Sequence, residues 1–515
     1  MVVTPGSAPV LVASETFGAE LDIAAFIGVR LLDDPALPHP RFCDDVWDLS
    51  AIADVPVADR MPCRLRIDWT QIANPTWRIC AKEVGLALLQ PEVGLARRIP
   101  GARRRAVHPH ALRRVVLIWR SWFAWMADHG LERLADLTQP HCDAWLAGRQ
   151  QEVTTSTVLA EVSALRLFAD YRTVLTLDVF AEGFRPWGSR TASHVAGWKS
   201  GGENATPVIP DDVLGPVLAG ALFLVETAGP DVLAARAQWR AIHERATRPS
   251  PLTIDERLSG YLAELRRAGR CLPALDSQHL SQLRGRGALN EADPLHRVNL
   301  SVGAGSIGVD SHSLVMPNRR PVLEAALEEL GCAPGGISVP VTMVENPTRP
   351  GHRQPWHGEF SPWEVEDLGK LVLTACYIVV AALSGLRHGE LAEMRRGCVR
   401  AELLPNGKMR YRIHGKVTKG RPFGGEAERW TVIEQVAIAF RLAGHLVDED
   451  LPFARLCFGA RYPRFVRWVN GPGARAFLAP IPVDWRVNGR QFRRTLARLL
   501  GFRPHGVLAG KIHLK

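Results

Sequence analysis

The feature that most constrains this chain is a single helix with its own start and stop signals. Ser361 can cap, Pro362 suits the first helical turn, and Glu364 completes a capping box. Leu368, Leu371, Val372, Ala375, Ile378, Val379 and Ala382 come next, and Ser384-Gly385 ends the run. The apolar stretch Leu371–Leu383 is too short to span a bilayer, so it predicts a buried core helix. A helix of this kind needs other elements packed around it, which makes the last third of the chain a helical domain.

The residues after this helix carry the chemistry. The string Ala382-Leu383-Ser384-Gly385-Leu386-Arg387-His388-Gly389-Glu390-Leu391 puts Arg387 in the turn opening the next helix, where a guanidinium fork can hold phosphate oxygens bidentately. Glu390 lies one turn on and can orient it. Met409–Ile413 and Arg429–Ile433 read as strands. The polar, Gly-rich stretch between them, Lys416 to Gly425, reads as a hairpin turn holding Lys416, Lys419 and Arg421. Residues 434–447 read as a helix, and Gln491–Leu500 as a further basic helix, its start overlapped by the string Arg490-Gln491-Phe492-Arg493-Arg494-Thr495-Leu496.

In this order the three elements resemble the catalytic domain of the tyrosine recombinase, or phage integrase, family. The Arg387 string is similar to the family's first arginine box, "(T/S)GLRxGEL". Gly415-Lys416 resembles one form of the family's hairpin lysine and Thr418-Lys419-Gly420 another, with Lys419 nearer the glycine-rich tip. The segment from Arg490 is similar to the "HxLRHT" box and places Arg493 on the second catalytic arginine. Arg490 then stands where the family has histidine, and Arg494 where it has the next one. An arginine stays protonated, so Arg490 can stabilise charge but hardly accept a proton. The resemblance implies metal-free phosphoryl transfer: two arginines neutralise the non-bridging oxygens, a lysine protonates the leaving oxygen, and a tyrosine stores the bond as a 3′-phosphotyrosine.

The chain departs from the family at that tyrosine. Tyr171, Tyr261, Tyr377, Tyr411 and Tyr462 all precede Arg493, and 22 residues come after it, where the family's spacing asks for about thirty. A truncated or split recombinase is therefore expected: the intact parent cuts and rejoins DNA in a mobile element, while the 515-residue chain holds DNA without cutting it. A covalent adduct trapped on a nicked suicide substrate would overturn this. The alternative is a non-catalytic DNA-binding regulator that retains the fold.

Upstream, the expected organisation is an N-terminal region over 1–105, a helical core-binding-like domain over 106–185, a linker and insertion over 186–355, and the catalytic-like domain over 356–515. Leu112, Val115, Trp119, Trp122, Phe123 and Met126 recur at helical spacing, Gly130 supplies a stop, and Thr138 a further cap. Leu134-Ala135-Asp136-Leu137-Thr138 resembles the core-binding domain that clamps the far side of the duplex. Val158, Val162, Leu165 and Phe168 mark a third helix. Glu182–Pro207 reads as a linker, and Pro230–Arg267 as helical with a break near Pro249. The fold class is thus mainly α with a small β-sheet in the C-terminal domain.

Charge fits a polyanion partner. The formal net charge is +10 and the pI near 9.4, carried mostly by arginine. The cluster Arg97-Arg98 and Arg103-Arg104-Arg105 is either a solvated loop or a phosphate-contacting arm. Nine dispersed cysteines form no CxxC pair, so no zinc or redox site is indicated. The Gly/Ser run Ser301–Gly308 lacks the Gly-Lys-Ser/Thr ending of a phosphate loop. Expectations are double-stranded DNA as partner, a tetramer on DNA as in the family, no cofactor, no metal, no membrane, and a cytoplasmic location.

Overall fold

The computed structural model describes residues 23–513 apart from 27–28, 92–95, 97–98, 100–102, 104, 200–205, 246–249, 347–348, 419–420 and 422–423. The chain is mainly helical, with small sheets of two or three strands. It divides into two units, residues 1–205 with 416–427, and residues 206–415 with 428–515.

In the first unit one hydrophobic core runs from Ala25 to Ala196. The boundary expected near residue 105 therefore does not separate two cores. Strands β1 (Val46–Asp48) and β2 (Arg66–Asp68) pair antiparallel. Helix α1 (Pro75–Leu89) starts at Asn74, whose side chain accepts from Thr76 N and Trp77 N. Helices α2 (Pro109–Asp128), α3 (Gln139–Glu152, with Thr138 as cap) and α4 (Thr155–Asp170) lie where their periodicity places them. Trp77 stacks on Phe123 at 5.1 Å, and Phe123, Trp122 and Phe180 surround Phe168. Buried Asp178 ties the loops in by accepting from Trp77 Nε1 and from Leu134 N. The expected linker over 182–207 is in part core. Trp187 is 2% exposed, and its indole donates to Asp143.

The second unit is built round the capped helix, now α10. Helix α5 (Asp211–Leu222), a π-helical turn (Phe223–Ala228) and α6 (Gly229–Arg245) form one continuous run. The π-turn has a cause in the sequence: Pro230 has no N–H for the carbonyl of Glu226 and its ring crowds that carbonyl, so the turn widens there. Helices α7 (Ile254–Ala268), α8 (Leu300–Ile307) and α9 (Arg320–Leu330) make a small core of their own with Leu272, Leu295 and Leu314. The Gly/Ser run is α8. Its small residues serve close approach, since a Cβ on Gly305 would lie 2.4 Å from Ile242 Cγ2. The expected insertion over 186–355 is thus split. Its first part belongs to the first unit's core, and residues 211–245 pack directly on α10.

Helix α10 spans Pro362–Ser384 with the expected capping box, and its C-cap Gly385 is left-handed at φ 66°. Within the apolar run Thr374 Oγ1 donates to Lys370 O at 2.8 Å, which satisfies its hydroxyl inside the helix. Two stretches, Asp211–Ile242 and Pro362–Ser384, are long and apolar enough to cross a membrane, but 83% of the second's apolar window is buried inside the fold. Helix α11 (His388–Ala392) comes next, then strands β3 (Val399–Leu403), β4 (Met409–Val417) and β5 (Glu426–Val432) in that order across one sheet. Strand β3 pairs antiparallel with β4 from Val399↔Ile413 to Leu403↔Met409 and was not expected. Its Val-Arg-Ala-Glu-Leu sequence alternates apolar and polar residues and leads through Asn406-Gly407 into β4, so the strand does carry a local signal. Helices α12 (Glu434–Leu446), α13 (Phe458–Val469), α14 (Gly489–Gly501) and α15 (Gly506–His513) complete the unit. α12, α13 and α14 all pack on α10.

Candidate functional site

The site begins where α10 stops. Ser384 Oγ donates to Val380 O at 2.6 Å and accepts from Leu386 N, which fixes the exit of the chain. Arg387 is the N-cap of α11. Glu390 is 2% exposed, and its carboxylate accepts from Arg387 twice, from the backbone N–H at 2.7 Å and from Nη1 at 2.6 Å. The carboxylate expected to orient Arg387 is thus bonded to it. α11 has only five residues, so the cationic character here comes from side chains rather than from a helix end.

Arg493 arrives from α14 and donates from Nη1 to Gly385 O at 2.7 Å, filling one of the orphan carbonyls at the C-terminus of α10. Burial, and then the Arg387 guanidinium, lower its pKa from the ordinary arginine value, while Glu390 opposes them. An arginine so placed keeps its proton at neutral pH. Two guanidiniums thus stand near one buried carboxylate, which bonds Arg387 while Arg493 bonds the Gly385 carbonyl, and the positive charge is in excess there.

Arg490 lies one turn earlier on α14, is exposed, and bears electrostatically on His388. His388, the residue after Arg387, is bonded through Nδ1 to the Tyr377 hydroxyl at 3.1 Å. Burial and the Arg490 guanidinium push its pKa below the ordinary histidine value. Tyr377 is fully buried in α10, and a Cβ on Gly489 would lie 2.6 Å from its hydroxyl oxygen. Gly489 therefore lets the start of α14 close on the phenol, which sets where Arg490 and Arg493 fall. Sequence reasoning gave neither His388 nor Tyr377 a role. Position 388 is the variable x of the arginine box, and Tyr377 reads as one more apolar-face residue of α10.

The lysine element is placed differently. β4 runs to Val417, so Lys416 lies in a strand rather than in the hairpin turn. Regular pairing extends beyond the apolar alternation that the sequence shows. Lys416 is exposed and belongs to the first unit; the expected acid Lys419 lies outside the described residues. Gly415 lies close against the end of the Met394 side chain, which a Cβ there would displace. Arg421 pairs with Glu426 at 3.0 Å. Arg494 is half-buried on α14. Of the N-terminal basic cluster, Arg103 donates its backbone N–H to Tyr171 Oη at 3.2 Å, Arg103 and Arg105 are exposed, and Arg104 lies outside the described residues. Among the described residues no group of three or more His, Cys, Asp or Glu could hold a metal ion.

The structure thus brings together Arg387, Glu390 and Arg493, with Arg490 alongside. Compared with protein-family models, with curated proteins and with solved structures, the chain finds no match.

Proposed function

We propose that this chain is a DNA-binding protein of tyrosine-recombinase type, a type that breaks and rejoins strands at specific sites in mobile elements. The observation that carries the reading is the approach of Arg387, paired with buried Glu390, and Arg493, bonded to the Gly385 carbonyl, in the order and on the elements that the arginine boxes imply. Such a pair suits the non-bridging oxygens of a phosphodiester, each guanidinium offering a planar fork of donors. The N-terminal unit serves as the core-binding half, with Arg103, Arg104 and Arg105 contacting phosphates and Lys416, Lys419 and Arg421 on the hairpin. Further support comes from α13 and α14, which carry Arg461, Arg464, Arg467, Arg490, Arg494 and Arg498 and not one acidic residue.

Duplex binding measured by fluorescence anisotropy tests this. Affinity is expected to fall steeply with salt, the log–log slope approaching about −5 or steeper for six or more neutralised phosphates. Affinity that is absent, or flat with salt, favours an unrelated helical scaffold with a basic surface.

A further inference from the structure

Strand β3 is an open edge. The sheet runs β3, β4, β5, and among the described residues no strand pairs with the other side of β3. Just beyond its two ends, His414 N donates to Cys398 O at 3.0 Å and Leu404 N donates to Lys408 O at 2.9 Å. Backbone groups alternate along an antiparallel ladder. Arg400 and Glu402 therefore turn theirs towards β4, while Val399, Ala401 and Leu403 turn theirs to the open side. Edges are commonly blunted by a proline, a bulge or a charge that repels a second strand. β3 has no proline, and its register with β4 is unbroken. Its only charges are Arg400 and Glu402, both exposed.

Those two charges lie symmetrically about Ala401. Glu402 pairs with Arg410 at 2.7 Å and with Arg412 at 3.3 Å. Arg400 instead stands opposite Arg412 across the ladder, and its Nη1 donates to the carbonyls of Gly397 and Val399. Among the described residues Arg400 has no carboxylate partner. At the end of the strand Leu403 is 68% exposed, next to its cross-strand neighbour Met409.

We infer that β3 is a self-association edge, pairing antiparallel with β3 of a second copy about a two-fold axis at Ala401. In that register Arg400 of each copy stands opposite Glu402 of the other, and Val399 opposite Leu403. The outward-turned residues make the hydrogen-bonded pairs, about six bonds in all, and the charge pairs fall at the intervening positions, where side chains lie closest. Arg400 gains the carboxylate it lacks, and Leu403 gains an apolar neighbour. The long bond from Arg400 to Val399 O, 3.3 Å, is given up for a ladder bond. Parallel in-register pairing would set Arg400 against Arg400 and Glu402 against Glu402, so the charges select the antiparallel arrangement. The contact is isologous and closes at two copies. One short strand buries little surface, so the dimer is a weak one. This inference is independent of the DNA-binding reading and is tested without DNA.

Sedimentation equilibrium of the full chain from about 1 to about 100 µM, at one moderate salt concentration, reads the association. The weight-average mass is expected to rise with concentration from 56.7 kDa towards twice that value. Ala401→Pro removes an N–H that β4 does not use, a position where an edge strand tolerates proline, and should hold the chain at monomer mass throughout. Arg400→Glu sets two glutamates against each other at both symmetric positions and should weaken association about tenfold or more. Exchanging the charges, Arg400→Glu with Glu402→Arg, should restore it. Melting temperatures check folding; if A401P melts early, the charge variants at their exposed positions decide. A wild type that stays monomeric overturns the inference. So does a dimer that A401P or R400E leaves unchanged, or a folded double exchange that stays monomeric.

Discussion

A chain carrying Arg387→Gln together with Arg493→Gln is expected to bind duplex DNA at least about a hundredfold more weakly than wild type. Each guanidinium–phosphate pair is a charge-assisted hydrogen bond of about 1.5–3 kcal/mol. Removing both at once amounts to about two or more orders of magnitude in affinity. The salt dependence should shrink with them, the log–log slope becoming shallower by about two. Folding must be controlled, because the two arginines differ in what they leave behind. Arg493 gives up a bond to the Gly385 carbonyl. Arg387 leaves Glu390 with a buried carboxylate whose remaining bond from that residue is the backbone N–H. Removing one partner of a buried ion pair costs about 3–5 kcal/mol, less here because the Arg387 side chain is about 30% exposed. Adding Glu390→Gln removes that charge together with its partner and restores stability without restoring the phosphate fork. A triple variant that melts like wild type and still binds with wild-type affinity and slope would sink the proposed site.

The second large effect lies in the first unit and concerns stability. Glu83 sits in α1 with no exposed surface, and its carboxylate accepts from Thr176 N at 3.1 Å and from the Thr176 hydroxyl. Burial raises its pKa to about 7, the two hydrogen bonds from Thr176 opposing the rise. The folded state thus holds the proton more tightly than the unfolded chain, whose value is the ordinary 4.5. Below that ordinary value both states are protonated and the group costs nothing. As pH rises from there to about 7, the unfolded chain ionises first and the fold loses stability, by up to about 3 kcal/mol. This runs opposite to Asp68, whose carboxylate, held low first by the Thr70 hydroxyl, stabilises the fold as pH rises. Glu83→Gln removes the titration and keeps an acceptor for Thr176. Urea unfolding of wild type and E83Q at about pH 5 and about pH 7.5 should show wild type losing about 2 kcal/mol relative to the variant, the rest of the loss having occurred below pH 5. Parallel pH curves for the two proteins would refute it.

How legible the molecule was depends on whether a signal was local. The capping box at Ser361, the stop at Gly385, the Thr138 cap and the periodic helices at 109–128 and 155–170 are satisfied within a few residues, and each appears where the sequence puts it. α1 was legible in principle through Asn74-Pro75, but a helix buried on most of its surface shows no clean alternation. The core role of Trp187 was not legible, because the partner that decides it lies 44 residues away; β3 was legible in principle through its alternation and the Asn406-Gly407 turn before β4. The arginine boxes were legible as strings. Their meeting was not, since the Arg493–Gly385 hydrogen bond joins residues 108 apart.

The sequence by itself determined the capped buried helix, the order of the basic motifs and the surplus of positive charge. It did so because caps, periodicity and composition act over short range. Only the tertiary structure decided that Arg493 comes to the Gly385 carbonyl beside Arg387, that His388 is held by Tyr377, and that residues 211–245 belong with α10. Those outcomes come from packing between distant segments. Gly489 lets the start of α14 close against Tyr377 in α10, a relation that no local pattern encodes.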